Sequence, residues 1–268
     1  MIVISKIKAG MGNQLFQYAA ARNLSLRHHI PLLIDVSHYF TSAVRKFELG
    51  YFNIPDLETN LEPYGEMVFD VYKEPHFHYD PTFGQLEGNI YLDGFWQSEK
   101  YFKSIRPILL EELKVKETYV SHLQQMTDTM KSRHSVAVHI RRGDYISKRF
   151  SDTHGVLPYN YYTRAIDLLA KVLPIKLYFF SDDMEWVKDN VMVHHPHEFI
   201  SKSITKNHLE DFHLMSQCRH HIIANSSFSW WAAWLNNYPE KQVIAPEQWF
   251  NNLPHDTKDL IPETWIKI

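Results

Sequence analysis

Apolar residues along the chain recur in two patterns, and each pattern predicts a kind of element. Short unbroken apolar runs bounded by polar or turn residues read as buried strands, while apolar positions three or four apart read as helices. The run Ile2 to Ile7 predicts a strand that stops at Gly10-Met11-Gly12. From Asn13 onward Leu15, Phe16, Ala19, Ala20 and Leu24 keep helical spacing, and Arg22, Arg27, His28 and His29 gather toward the carboxyl end, where the helix dipole favours cations. Pro31 blocks continuation, and Pro31 to Val36 reads as a second strand, which completes a strand, helix, strand unit. Residues 37–95 hold no sustained period and predict irregular chain with short elements. Helix resumes over 98–102 and restarts at Pro107, whose fixed φ suits a first turn.

The polar stretch Gln124 to His134 reads as a linker between a domain of residues 1–130 and one of residues 131–268. Beyond it the strands SVAVHI, KLYFFS, HHIIAN and QVIAP alternate with helical segments at 159–172, 185–190, 208–216 and 228–236. Such alternation predicts an α/β fold with a parallel sheet covered by helices on both faces, and ligands at the carboxyl ends of its strands. The last residues either stay with the second domain or pack back on the first.

Composition narrows the function classes. With 44% hydrophobic and 22% charged residues the chain matches an ordinary globular protein, and no stretch approaches the roughly 18 apolar residues of a membrane span. The first residues carry too short an apolar run for a secretory signal, which predicts a cytoplasmic protein. The 28 basic and 31 acidic residues leave a net charge of −3, so no global field draws nucleic acid, and anion recognition must be local. Cys218 is the single cysteine, which excludes an internal disulfide. The histidine clusters 76/78, 194/195/197 and 220/221 lack the helical i, i+4 spacing of a zinc motif, and no Asp-x-Asp occurs, so no divalent ion is expected.

Three strand ends carry candidate chemistry. SVAVHIRRGDY ends an apolar strand in His139, Arg141, Arg142 and Asp144. An arginine fork matches phosphate oxygens, so the segment points to a diphosphate or nucleotide, with one arginine meeting ligand and the other paired with a carboxylate such as Asp144. The alternative is a surface ion-pair cluster. The Arg142-Gly143-Asp144 adhesion-type tripeptide is set aside because it abuts a core strand. In IIANSSFSWWAAWL, Asn225, Ser226, Ser227 and Phe228 open a helix with apolar residues on every face, which reads either as a phosphate cradle or as a hydroxyl-capped core helix. In LYFFSDDMEW, Asp182 and Asp183 either accept from a ribose hydroxyl or the guanine N–H edge, or cap a helix. At the amino terminus Gly12, Asn13 and Gln14 stand at a helix start where a sugar can be hydrogen-bonded. Leu15 replaces the third glycine of a dinucleotide fingerprint, which argues against NAD.

Taken together, GMGNQLFQYA, LDGFWQSEKYF, H-x-R-R-G-D-Y, SDD..W and NSSFSWW resemble, in order and spacing and along nearly the whole chain, the bacterial alpha-1,2-fucosyltransferases of glycosyltransferase family 11. One departure is Ala9 to Gly12, where the family often carries a glycine pair and a leucine. The resemblance implies a GT-B fold of two Rossmann-like domains facing a cleft, with GDP-fucose held mainly by the second. It implies that Arg141 contacts the donor phosphates, His139 helps hold the nucleotide, Asp182 or Asp183 reads guanine or ribose, and Ser226, Ser227 and Phe228 line the diphosphate pocket. The expected reaction is metal-free, inverting transfer through an oxocarbenium-like transition state. Asp35 and Glu99 are candidate bases, Asn13 is the alternative by positioning the acceptor hydroxyl, and Trp96 either stacks on acceptor sugar or sits in the core. The family suggests a terminal β-galactose acceptor, plausibly on lipid-linked surface polysaccharide, which would bring the protein to the membrane periphery. Two rivals stand beside this reading: another GDP-sugar transferase of the same fold, and a non-catalytic carbohydrate-binding module.

Overall fold

The computed structural model describes residues 1–42, 44–132, 134–146 and 153–268. The chain forms two compact units, Met1–Lys116 with His255–Pro262, and Glu117–Pro254 with Glu263–Ile268.

The first unit is built on four parallel strands, β1 (Val3–Lys6), β2 (Leu32–Asp35), β3 (Asp70–Lys73) and β4 (Ile90–Asp93), in the order β2-β1-β4-β3. Val3 pairs with Leu32 on one side and Ile90 on the other. The helix Met11–His28 buries the predicted stripe of Leu15, Phe16, Ala19, Ala20 and Leu24, and its carboxyl end turns through His29 at φ 54°. Strands β3 and β4 lie inside the stretch read as irregular. Each is four residues long; β3 is an edge strand with only Tyr72 partly buried, and β4 offers just the three apolar residues Ile90, Tyr91 and Leu92 before Asp93.

The second unit holds six parallel strands, β5 (Ser135–Ile140), β6 (Lys176–Ser181), β7 (His197–Phe199), β8 (His220–Ile222), β9 (Val243–Ala245) and β10 (Ile266–Lys267), in the order β10-β9-β8-β5-β6-β7. Every residue of the central β5 is buried, including the polar Ser135 and His139 beside its apolar Val136, Ala137, Val138 and Ile140. Helix Tyr159–Ala170 packs Tyr162, Ala165, Ile166 and Leu169 into the same core as Val138, Leu177 and Phe179.

The supposed linker is a correction. Gln124–Lys131 is a helix that buries Thr127 and Met130, and the Thr127 hydroxyl meets His213 Nε2 at 3.1 Å. Two inward positions in a polar octet suffice for one short surface helix, and they move the boundary from 130/131 to 116/117. Residues 255–262 join the first unit, where Asp259 accepts from Lys100 Nζ at 2.6 Å and the Tyr79 N–H at 3.1 Å, while the last residues return to the second unit as β10.

The winding reverses in both sheets, twice in the first and once in the second. In the first the chain steps outward from β1 to β2 and later lays β4 against the other side of β1; in the second it runs β5, β6, β7 and then lays β8 on the other side of β5. Open parallel sheets bind ligands outside the strand carboxyl ends at such reversals, here β1/β4 and β5/β8.

Candidate functional site

The carboxyl ends of β8, β5 and β6 bring the three predicted segments side by side. Arg141 is gripped by two carboxylates, with Nη2 donating to Asp144 Oδ1 at 2.6 Å and Nη1 2.9 Å from Asp182 Oδ2, and its guanidinium lies 5.4 Å from the Tyr145 ring centre. Burial works against its charge, but Asp182 and Asp144 outweigh that and raise its pKa, so it stays cationic. Arg142 turns away, its Nε 3.2 Å from Asp183 Oδ2 and its guanidinium 3.5 Å over the Trp186 ring. The expectation that only one arginine takes a carboxylate is thereby corrected, since both do.

The two aspartates also hold local structure. Asp182 accepts the Arg142 N–H through Oδ1 at 2.9 Å and faces Arg141 through Oδ2, so both oxygens are occupied in fixing the arginine loop. Asp183 caps the helix Met184–Asn190 by accepting the Trp186 N–H at 3.3 Å. Each carboxylate keeps acceptor capacity beyond these bonds, and both side chains are partly exposed, at 25% and 32%. Gly143 is the close-approach point of this loop: a Cβ there would stand 2.9 Å from Asp182 Cγ and nearer still to Oδ2.

After β8, Asn225 is a buried knot. Its Nδ2 donates to the carbonyls of His154, Gly155 and Trp249 at 2.7, 3.2 and 3.2 Å, and its own carbonyl accepts from Tyr145 Oη at 3.0 Å. Helix Ser227–Leu235 follows with Trp230, Trp231 and Trp234 buried, but the Ser226 hydroxyl does not cap it, contrary to one of the two readings. The first-turn N–H groups, which no helix satisfies internally, therefore receive no cap from Ser226. Phe228 opens this helix with its ring 5.7 Å from that of His139. Burial, then the Arg141 charge, push His139 down to about 3, so it is neutral near pH 7. Its Nδ1 and Asn225 Oδ1 are buried polar atoms with no protein partner among the described residues. Such orphans call for a ligand or water.

The candidate residues of the first unit divide differently. Asn13 sits in the first helical turn, and its Oδ1 accepts from Gln97 Nε2 at 2.6 Å. Gly12 beside it is buried, and Gln14 is structural rather than ligand-binding, its amide spent on the Ala9 and Lys46 carbonyls and the Glu48 N–H. Trp96 is fully buried against Tyr72, Phe83 and Tyr101, which leaves it in the core and unable to stack on a sugar. Asp35 ends β2 with its oxygens on the Ser37 N–H, at 2.8 Å, and the Tyr91 hydroxyl. Burial works to raise its pKa, but those bonds and Lys6 prevail and hold it below the usual carboxylate range. Glu99 begins a single 3-10 turn at the surface side of the Ser98 cap.

Two groups were not among the candidates named from the sequence. Gln97 is one, although it lies within the LDGFWQSEKYF segment. Asp211 is the other: burial pushes its carboxyl up to about 6 despite a 2.6 Å bond from Thr205, and its helix His208–Gln217 sets His208 and Phe212 6.4 and 5.3 Å from Phe228. A polar helix start in an amphipathic pattern looks like any capped helix, so nothing marked it. A cavity of about 320 Å³ lined by Tyr18, Arg22, Leu33, Glu58 and Tyr64 lies elsewhere, with Arg22 already committed to Glu112 at 2.6 Å. Among the described residues no group of three or more His, Cys, Asp or Glu is arranged to hold a metal, and no helix is long and apolar enough to cross a membrane.

The profile of Glycosyl transferase family 11 matches residues 6–268. An alpha-1,2-colitosyltransferase of Escherichia coli is 32% identical over all of this chain and 99% of its own length. The O-antigen biosynthesis glycosyltransferase WbnK of the same species is 30% identical over 98% and 99%. Rabbit (Oryctolagus cuniculus) galactoside alpha-(1,2)-fucosyltransferase 2 is 24% identical over 96% of this chain and 74% of its own. Among solved structures, NodZ alpha-1,6-fucosyltransferase soaked with GDP-fucose superposes over 87% of this chain and 92% of its own, with a TM-score of 0.55 at 17% identity. That likeness concerns the fold, which is α/β and GT-B-like, built on parallel sheets. The chain is a glycosyltransferase and belongs to glycosyltransferase family 11.

Proposed function

We propose that the protein transfers L-fucose from GDP-fucose to the 2-hydroxyl of a terminal β-galactose, with inversion, in cytoplasmic assembly of a surface polysaccharide. The observation that carries this reading is Arg141, held between Asp144 and Asp182 at the β5/β8 reversal beside a helix start that the Ser226 side chain does not cap. That is a rigid cation and an N–H cradle where a diphosphate fits. In the reaction the bond from fucose C1 to the diphosphate oxygen breaks, the acceptor oxygen bonds C1 from the other face, and the hydroxyl proton leaves to solvent or a carboxylate. Negative charge grows on departing GDP, and Arg141 with the Ser227–Leu235 helix start meets it without reorganising, an effect of about 3 to 4 kcal/mol per fixed donor.

Asp144 and Asp182 position Arg141, and Arg142 with Asp183 braces the loop. His139 Nδ1, Asn225, Ser226, Ser227 and Phe228 line the donor site in this reading, and Asp182 or Asp183 reads guanine or ribose. A strong base is unnecessary if the bond to GDP is mostly broken before attack. Asp35, held ionised with both oxygens engaged, suits that weak role, and so does Glu99. No divalent metal is required, and a lipid-linked acceptor would bring the protein to the membrane periphery.

The relative at 32% identity favours one second reading, a colitosyl donor, which is fucose without its 3-hydroxyl. The test is transfer from GDP-fucose and from GDP-colitose to a panel of β-galactosides in EDTA, with linkage analysis of the product. An alpha-1,2 fucosyl product supports the reading. Preference for GDP-colitose installs the alternative, and no transfer despite tight GDP binding leaves a binding module.

A further inference from the structure

The β1/β4 reversal of the first unit carries its own constellation. Asn13 follows β1 and Gln97 follows β4, so the two carboxamides reach one another across the crevice where the winding reverses, Gln97 Nε2 donating to Asn13 Oδ1 at 2.6 Å. That bond fixes both amide orientations and leaves Asn13 Nδ2, a donor, and Gln97 Oε1, an acceptor, without a protein partner among the described residues. A donor and an acceptor side by side match a hydroxyl, which both gives and takes a hydrogen bond.

The backbone around both residues is held in conformations that L side chains resist. Ala9, just before the Asn13 helix, stands at φ 67°, and Trp96, just before Gln97, at φ 56°. The first is pinned by Gln14 Nε2 and the Tyr39 hydroxyl on the Ala9 carbonyl, at 3.1 and 2.9 Å. The second is pinned by Glu74, which accepts the Phe95 and Trp96 N–H groups at 2.7 and 2.9 Å, and by the Ser98 N–H on the Trp96 carbonyl at 2.8 Å, a tight turn with Gln97 at its apex. Strain of this kind is retained where surrounding structure must aim a particular side chain.

We infer that the Asn13–Gln97 pair is the acceptor-specificity element, gripping one hydroxyl of the acceptor sugar, with Glu74 as the positioning residue that presents Gln97. This rests on the transferase reading above. The test pairs variants with acceptors: wild type, Asn13→Ala and Gln97→Ala, each assayed with methyl β-galactoside and with its 3-, 4- and 6-deoxy analogues. Wild type is expected to lose about tenfold in kcat/KM toward one deoxy acceptor, the scale of one hydrogen bond with its partner left unpaired. In Gln97→Ala that penalty vanishes while the affinity for GDP stays within twofold, which a merely structural role would not produce. An undiminished penalty in both variants overturns the inference.

If wild type transfers no fucose, the function reading fails separately, and binding of methyl β-galactoside followed by saturation-transfer NMR decides the pair. Altered ring-proton contacts in Gln97→Ala support it. Identical contacts, or no binding by wild type, overturn it. Gln97→Glu, which keeps the shape but removes the donor to Asn13, serves where the alanine variant fails to fold.

Discussion

Gly143→Ala tests whether the arginine loop is a positioned electrostatic device. A Cβ at this residue would come 2.9 Å from Asp182 Cγ, against the 3.5 to 4.0 Å that carbon atoms prefer, so the carboxylate must retreat by about 1 Å. It cannot retreat freely, because Oδ1 is tied to the Arg142 N–H and Oδ2 to Arg141, each at 2.9 Å. Retreat stretches the Arg141 contact toward 4 Å and lets the guanidinium swing toward Asp144. A misplacement of that size in a positioning group costs about a hundredfold in rate, or about 2.7 kcal/mol of barrier. Overpacking separately costs about 1 to 3 kcal/mol of stability, which a 268-residue protein can lose and stay folded at 25 °C. Steady-state transfer kinetics and a urea unfolding curve on the same preparation separate the two effects. A folded Gly143→Ala enzyme within threefold of wild-type kcat/KM would show that the Arg141–Asp182 contact does not set the rate.

Arg141→Lys keeps the charge but loses the planar fork that spans two carboxylates and a ligand, so transfer should fall at least about a hundredfold with unfolding unchanged, and near-normal kcat/KM would remove Arg141 from the mechanism. Acid should destabilise the fold early. His139 and His221 are both buried and held down to about 3, so between pH 6.5 and 3 the unfolded chain binds protons that the folded one does not, and stability falls as pH falls. At pH 5 each loses about 1.5 pH units of linkage, about 2 kcal/mol, and a change below about 1 kcal/mol for the pair in urea unfolding between pH 7.5 and 5.0 contradicts their burial. Ala9→Gly removes the Cβ penalty at φ 67° and should raise stability by up to about 1 kcal/mol, whereas a thermal midpoint lowered by several degrees would mean that the turn is not strained.

The long elements were legible because burial writes itself into them. The wholly buried β5 and the Leu15, Phe16, Ala19, Ala20, Leu24 stripe need no tertiary information to be seen. Strands β3 and β7 were not, since short edge strands with exposed residues carry no apolar pattern. Which arginine meets which carboxylate was equally hidden: it depends on β5 and β6 pairing His139 with Phe180 and Ile140 with Ser181, a register that places Asp182 beside Arg141. Trp96 misled for a related reason, because an aromatic next to a turn looks the same in sequence whether it faces a sugar or, as here, the core. The family's preference for glycine near Ala9 becomes physical at φ 67°, a backbone state that glycine adopts without cost.

The β1/β4 and β5/β8 reversals carry different chemistry, and the difference follows from what each ligand demands. In the proposed reaction a departing diphosphate gains charge, so its site needs a cation that stays put in the transition state, and Arg141 is held in place by two carboxylates. A sugar hydroxyl gains little charge before attack and both gives and accepts hydrogen bonds, so a cation there would bind it with the wrong complement. In the first unit Lys6 and Lys8 are both drawn onto Asp93, at 3.0 and 2.7 Å, and the pair that meets across the β1/β4 crevice consists of neutral carboxamides. Each amide contact contributes about 1 kcal/mol, against about 3 to 4 for a fixed donor aimed at developing charge. Substitutions after β5 should therefore appear chiefly in kcat, and substitutions at Asn13 and Gln97 chiefly in discrimination among acceptors.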